Sequence, residues 1–323
     1  MLSKSLYNLC LLISTPYENL NLFSNEICDL DYPILEEIYS KKLFNFKWEK
    51  KLNSSFSKFQ FDYSYGILDQ SSDFIKLKLN LNISFIVENA PTNIRSGCMH
   101  EYIVILEHLH NKFKIQFLIE NEENPLLYNY VLKANLSEIN DFIFSETQGL
   151  WTNKLSSIDV LYDSFINSSS FSNNNRDSKF NIIEACNYAE TFALKPNPNY
   201  KSFENIGGDC TNFMSQILYA GGVKQTKAWK PYTLPWIRVE EIYLYLTTQT
   251  LATKLPNENS LSKGCLIQFY TPQIGKFFHN GFITYELPNN DYLYCCHSYN
   301  KLNYPLSKIY PQRYPTLRAL KIN

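Results

Sequence analysis

Residues 207–222 read Gly-Gly-Asp-Cys-Thr-Asn-Phe-Met-Ser-Gln-Ile-Leu-Tyr-Ala-Gly-Gly, and the interpretation of the chain starts from this stretch. Glycine pairs bracket it, and glycine permits the backbone of tight turns and helix C-caps. Asp209 occupies the position of an N-cap that accepts from first-turn N–H groups. The apolar residues between the glycines recur at helical spacing: Phe213, Met214, Ile217, Leu218 and Tyr219. We therefore predict a turn, a short buried helix that begins at Cys210, and a glycine C-cap.

The position of Cys210 has chemical consequences. A helix N-terminus presents unpaired N–H groups and a partial positive charge, which both favour an anion. The pKa of a cysteine there can fall from about 8.5 to ~3.5–7.5, especially beside a histidine, and the thiolate is the nucleophile. The alternative is that Cys210 is a small buried apolar residue, as unpaired cysteines often are.

Length and charge bound the class of protein. With 323 residues, 45% of them hydrophobic and 15% aromatic, the chain has material for two domains. Lys and Arg number 30 against 31 Asp and Glu, so the net charge is −1. Nucleic acids and anionic membrane surfaces attract a basic excess, so neither is expected as a partner.

The eight cysteines are scattered, without a C-x-x-C pair. This pattern favours neither a zinc site nor a disulfide framework, and it is typical of thiols in a reducing compartment. No metal or organic cofactor is expected. The first twelve residues are too short and polar for a signal peptide, and no run of about 18 apolar residues occurs. We expect a cytoplasmic location, with a cell-envelope role or non-classical export left open.

Residues 1–165 are predicted to form an accessory α+β domain. A helical pattern over residues 3–46 is broken by Pro16 and Pro33. Strand patterns follow, and Asn111 marks a hairpin turn. These features predict one helix layer on a curved antiparallel sheet. The strand patterns cover residues 59–65, 75–81, 83–87, 101–110 and 112–119.

A Ser/Asn-rich stretch, residues 166–179, is predicted to be a linker, because it cannot bury enough apolar surface to offset its ordering entropy. Residues 180–323 follow as a second α+β domain. Its order is a helix over residues 180–192, the Cys210 helix, a helix over 238–247, and then antiparallel strands. These strands are expected over residues 265–270, 277–285 and 292–298.

A cysteine on a helix followed by a histidine on a sheet is the arrangement of papain-like thiol hydrolases. His279 is the candidate base, since Gly281 leaves room on its strand face; a half-exposed strand-end histidine is the alternative. The third group that orients the imidazole is either His297, 18 residues on, or Asn300. The Cys210 N–H is the natural oxyanion donor, with Asn205 or Asp209 as possible aids.

These motifs carry a family resemblance. Asn197-Pro198-Asn199-Tyr200, the stretch 207–213, Ser215-Gln216 and 220–222 resemble the signature of the putative amidase domain family. Its members are bacterial proteins similar to NlpC-type peptidases and CHAP amidases of the papain-like superfamily. Later pieces agree in order, and the resemblance runs from about residue 180 to the C-terminus. The later residues that match the family in order are Trp236, Gly264, His279 and His297-Ser298.

The resemblance implies a papain-like fold with Cys210 as nucleophile, His279 as base and His297 as polar third member. It also implies a peptide-amide substrate, often in cell-wall peptidoglycan. The chain departs from the family at Cys265, where Asp is frequent, and at Met214, where Val is frequent. Neither change removes a catalytic group.

We therefore predict a cysteine-dependent amide hydrolase that acts through an acyl-enzyme. The alternatives are an inactive papain-like module that binds a peptide or glycan, and an acyltransferase that uses the same thioester. The loop after the Cys210 helix offers candidates for the walls of a substrate-binding cleft, and core packing is an equally good interpretation of them. They are Trp229, Trp236 and Tyr232. The candidate substrate-binding residues are Asp209, Trp229, Trp236 and Asn300.

Overall fold

The computed structural model describes the chain except for residues 23–31, 89, 91, 110–111, 140–142, 144, 147, 169–178, 205 and 257–260. Two compact units emerge, Met1–Ile86 with Met99–Val160, and Val87–Cys98 with Leu161–Asn323. Asn111 and Asn205 lie outside the described residues, as does most of the predicted linker. No helix in the described part of the chain is long and apolar enough to cross a membrane.

The first unit combines helices with long antiparallel strands, as the sequence predicted. Its helices are α1 (Leu2–Ser14), α2 (Tyr32–Lys51), α3 (Pro125–Lys133), α4 (Leu150–Ser156) and the start of α5 (Ile158–Ser168), with 3-10 turns at Tyr17–Leu22 and Leu136–Glu138. Its strands are β1 (Phe56–Gln70), β2 (Phe74–Val87), β3 (Ile94–Leu109) and β4 (Lys112–Glu120), of which Val87 and the first residues of β3 belong to the second unit. Because α5 runs to Ser168, the first residues of the predicted linker are helical.

Helices cover both faces of this sheet, which corrects the predicted single helix layer. On one face, Leu77 and Leu79 of β2 pack in a core with Leu6 and Leu9 of α1. On the other face, strand residues such as Ile103 pack against Tyr128 and Val131 of α3. The period of two in the strands sends alternate apolar side chains into two different cores.

The second unit carries the Cys210 helix. Its helices after α5 are α6 (Ile182–Phe192), α7 (Cys210–Ala220), α8 (Leu234–Ile237) and α9 (Val239–Thr248). Its strands are β5 (Ala252–Lys254), β6 (Leu266–Thr271), β7 (Lys276–Glu286), β8 (Tyr292–Cys296), β9 (Lys301–Pro305) and β10 (Leu317–Ile322), with a 3-10 turn at Leu306–Lys308. The strands run antiparallel in the order β9-β8-β7-β6-β10-β5, and Gly97 and Cys98 of β3 pair with β9.

An apolar core joins α6, α7, α8 and α9 to the sheet of this unit. Phe213 and Ile217 of α7 pack in it with Ala189 of α6, and Leu266 and Phe282 supply the sheet side. Helices on an antiparallel sheet make this unit α+β, as predicted. The core fixes the start of α7 against the middle strands.

Candidate active site

The glycine turn and helix predicted around Cys210 are confirmed. Gly207 and Gly208 have φ angles of +102° and +103°, a conformation that L side chains rarely adopt. Helix α7 begins at Cys210, and Gly222, at φ +99°, follows its end. The turn therefore delivers the cysteine to the first position of a buried helix.

The Asp209 side chain does not cap α7, which corrects the prediction from its position. Its Oδ1 accepts from the Phe203 N–H and from Asn212 Nδ2, both at 2.8 Å. Its Oδ2 lies 2.7 Å from Nδ1 of His297. Asp209 is 1% exposed, so its carboxylate is committed to internal bonds.

Ser298 takes the capping position instead. Its Oγ accepts from the Asp209 N–H at 2.6 Å and from the Cys210 N–H at 3.1 Å. The main-chain donor expected to serve as the oxyanion hole is therefore already bonded to a serine hydroxyl. Ser298 lies two residues after the end of β8, and the resemblance included it only as the neighbour of His297.

His297 lies beside α7 with both ring nitrogens in use. Its ring stacks on Phe213, with centroids 3.8 Å apart and planes at 4°. Nε2 lies 2.7 Å from the Phe192 carbonyl, which can only accept, so Nε2 donates. Nδ1 faces Asp209. The structure thus brings His297 to Asp209, and neither ring nitrogen is bonded to His279.

Burial raises the pKa of the Cys210 thiol, which corrects the lowered pKa expected at a helix start. Hydrogen bonds from the Asn280 N–H and from Thr211 act in the opposite direction, and the Asp209 carboxylate adds to the rise. The desolvation of a sulfur that is 8% exposed outweighs the donors around it. Burial therefore favours the neutral thiol over the thiolate.

His279 is the residue before Asn280 on β7. The Asn280 side chain donates to Thr211 Oγ1 at 2.8 Å, on the α7 side of the sheet. His279 itself pairs with Phe269 of β6, next to an irregularity in the register of the two strands. There it stacks on Phe269 with centroids 5.4 Å apart and is 2% exposed, rather than half-exposed.

No hydrogen bond joins the Cys210 sulfur to the His279 ring among the residues that the structure describes. The sulfur instead lies 3.8 Å from Thr211 Oγ1. The structure thus brings the residue after Cys210 to the residue after His279 on β7, without bonding the Cys210 and His279 side chains to each other.

Trp229 and Trp236 lie in the core, which was the alternative to a role in substrate binding. Both are 0% exposed. Trp236 Nε1 donates to Asn212 Oδ1 at 2.9 Å, and Trp229 Nε1 donates to Ser215 Oγ at 3.3 Å. Both tryptophans pack in the core and bond to side chains of α7, so neither forms a substrate wall.

Two other predicted residues lie near the glycine turn. Asn300 is 8% exposed, and its Nδ2 donates to Glu204 Oε1 at 2.9 Å. Tyr232 is 46% exposed, and its hydroxyl accepts from the Lys201 N–H. Both connect to the segment that leads into the turn.

Sequence reasoning missed Ser298, Asn280 and Asn212 as members of the site. Asn212 follows Asp209 by three residues, a helical spacing that brings side chains together. Ser298 and Asn280 each follow a predicted histidine. Their partners lie 88 and 69 residues away, so nothing local in the sequence indicates the contacts.

Within the described part of the chain, no group of three or more His, Cys, Asp or Glu residues is placed to hold a metal ion. The seven cysteines described there, which exclude Cys28, form no disulfide bond with one another.

Residues 179–318 match the profile of a family described as "Putative amidase domain". Two proteins of Bacillus subtilis (strain 168), both described as uncharacterized, are also similar. YjcM is 33% identical over 130 residues, which are 38% of this chain and 31% of YjcM. YhbB is 28% identical over 117 residues, which are 32% of this chain and 37% of YhbB.

The chain therefore spans about a third of the length of these relatives. No solved structure matches it. The family match supports an amide hydrolase in general for residues 179–318.

Proposed function

We propose that residues 179–318 act as a cysteine-dependent amide hydrolase with Cys210 as nucleophile and His279 as general base. The observation that carries the proposal is the hydrogen bond from Asn280 Nδ2 to Thr211 Oγ1 at 2.8 Å, at the start of the helix that Cys210 begins. This bond joins the residue after Cys210 to the residue after His279. The amidase-family match over the same residues supports the reaction class.

The proposed cycle starts from a neutral thiol. As the sulfur attacks the amide carbon, His279 takes the thiol proton, and a tetrahedral oxyanion forms. His279 then gives that proton to the leaving amine, which departs as the C–N bond breaks. Water attacks the thioester with His279 again as base, and the acid and the free thiol are released.

His297 is proposed as a positioning residue. It holds Asp209, and Asp209 holds the Phe203 N–H and Asn212 on either side of the glycine turn. The glycine turn then sets the position of Cys210. Asn300 stays the alternative third member of the catalytic set.

The proposed substrate is a peptide-type amide, with cell-wall peptide as the class that the family resemblance favours. Tyr232 takes the substrate-wall role that the buried tryptophans cannot fill. Its ring lies 5.9 Å from that of Phe203, whose N–H bonds to Asp209. An exposed aromatic surface therefore borders the turn that carries the nucleophile.

Removal of the thiol tests the proposal. The full chain is incubated with soluble peptidoglycan fragments and with a peptide p-nitroanilide, and the new amino groups are quantified. Cys210→Ala is expected to lower the rate by at least about 10³-fold, because the nucleophile is lost. Cys186→Ala removes another buried thiol of the same unit and should leave the rate near that of the wild type.

A Cys210→Ala protein that hydrolyses at the wild-type rate would contradict the proposal. Added amines distinguish the two thioester reactions, since an acyltransferase forms a new amide and a hydrolase forms the acid.

The second candidate function is a binding module without catalysis. The buried thiol, with its raised pKa and no hydrogen bond to the His279 ring in the described structure, favours it. It predicts that wild type and Cys210→Ala bind the same fragments equally in calorimetry and that neither releases amines.

A further inference from the structure

Ser298 holds an unusual position for a serine hydroxyl. Its oxygen accepts two main-chain N–H groups, those of Asp209 and Cys210, at 2.6 and 3.1 Å. A hydroxyl has two lone pairs and one hydrogen. Both lone pairs face the start of α7, so the hydrogen must point away from it as a donor.

The surrounding backbone is shaped to admit this hydroxyl. Gly208 has a φ of +103°, and a Cβ built on it would lie 3.0 Å from Ser298 Oγ. Ser298 itself has a φ of +72°. The Ser298 side chain is half-buried, whereas Cys210 and His297 are buried.

We propose that the Ser298 hydroxyl is the catalytic donor that stabilises the oxyanion formed when Cys210 attacks a carbonyl. This inference rests on the proposed function of Cys210. The two N–H groups polarise the hydroxyl and strengthen it as a donor, as in any chain of hydrogen bonds. The helix start then acts on the substrate oxygen through Ser298, and the Cys210 N–H need not bind that oxygen directly.

Two reagents separate this role from a structural one. p-Nitrophenyl acetate acylates a thiol at a carbonyl carbon, so an oxyanion forms and p-nitrophenolate leaves. Iodoacetamide alkylates the same sulfur at a saturated carbon, iodide leaves, and no oxyanion forms at the reacting centre. Both rates are measured at Cys210 of the full chain, with the labelled peptide identified by mass spectrometry.

Ser298→Ala is expected to slow acylation by roughly 10²–10³-fold, the usual loss for an oxyanion donor. Alkylation should stay within about twofold, because the sulfur keeps its surroundings. Ser298→Gly also lacks the hydroxyl and suits a φ of +72°, so it gives the same comparison if the alanine variant folds poorly.

Three outcomes would overturn the inference. If acylation and alkylation fall together, Ser298 only holds the turn in place. If acylation is unchanged or faster without the hydroxyl, Ser298 blocks the oxyanion position. If neither reagent labels Cys210 in the wild type, the proposed function fails and the inference fails with it, whereas the first two outcomes leave that function standing.

Discussion

Asp209 and Asp291 are both buried aspartates of the second unit, 1% and 0% exposed, and their partners differ. Asp291 accepts from the Tyr292 N–H at 2.7 Å, from the Ser307 N–H at 3.0 Å and from Ser307 Oγ at 2.5 Å. All of these donors are neutral. Asp209 has two neutral donors as well, but its other oxygen faces the His297 ring.

The carboxyl group of Asp291 has a structural role, whereas that of Asp209 belongs to the candidate active site. Neutral donors do not fully replace water around Asp291, so burial raises its pKa to about 6. Asp209 receives a partner from 88 residues away, on the strand end beside the nucleophile. A histidine recruited over that distance ties the glycine turn to the sheet.

The largest effect on stability is expected when the carboxylate of the site is neutralised. Asp209→Asn removes the carboxylate that faces the buried His297 ring, and leaving a buried polar group without its partner costs about 1–3 kcal/mol, or more where the lost partner is charged. The free energy of unfolding from urea titration, measured on the full chain, gives the value.

His297→Gln and the double variant complete a mutant cycle. The double variant should lose clearly less stability than the sum of the single losses, because the pair is already broken in each. Losses that add within about 0.5 kcal/mol would show that the two side chains do not stabilise each other.

Asp291 should show a pH dependence with a defined sign. The pKa of Asp291 in the folded protein, about 6, exceeds the ordinary value of 3.8, so the folded state holds the proton more tightly. The contribution of the Asp291 carboxyl to the free energy of unfolding is complete below about pH 4. It is lost as pH rises through 6, by about 3 kcal/mol in total.

Asp291→Asn keeps one oxygen for the two N–H groups and can donate to Ser307 Oγ. The difference in unfolding free energy between this variant and the wild type, measured from pH 4 to 8, isolates the carboxyl. Stability of the variant relative to the wild type should rise with pH. A difference that is flat over this range would contradict the raised pKa.

A smaller effect is expected in the turn before Asp209. Gly207 and Gly208 have nearly the same φ, but only the Cβ of Gly208→Ala meets Ser298 Oγ. Gly207→Ala should cost about 1 kcal/mol in backbone strain, and Gly208→Ala about 2 kcal/mol, because the Ser298 bonds are also disturbed. Thermal unfolding compares the pair, and equal losses would remove Ser298 from the account of this turn.

The parts of the fold that depend on local pattern were predictable. Helix α7 followed from apolar spacing between glycine pairs, and β2 followed from strict alternation. Lys76 marks the limit: alternation places it on the polar face of β2, yet it is 3% exposed and donates to the Val131 carbonyl of α3. Burial lowers the pKa of this lysine, and only the helix packed on that face explains why.

The candidate site was likewise predictable where it depends on local sequence and unpredictable where it depends on distant contacts. The motif located Cys210 and His297, because both lie in short stretches with a chemical signature. The direction of the Cys210 pKa was wrong, since burial depends on the whole core and not on the helix start alone. The bond from Ser298 to the helix start depends on how β8 ends, which no local pattern encodes.

Trapping of the acyl-enzyme tests most directly whether the Cys210 sulfur attacks a carbonyl. The full chain is mixed with p-nitrophenyl acetate, quenched in acid, and analysed by intact mass and peptide mapping. The account predicts one acetyl group on Cys210 that hydroxylamine removes, and none at this position in Cys210→Ala. Acetylation confined to other residues, with Cys210 unmodified, would contradict it.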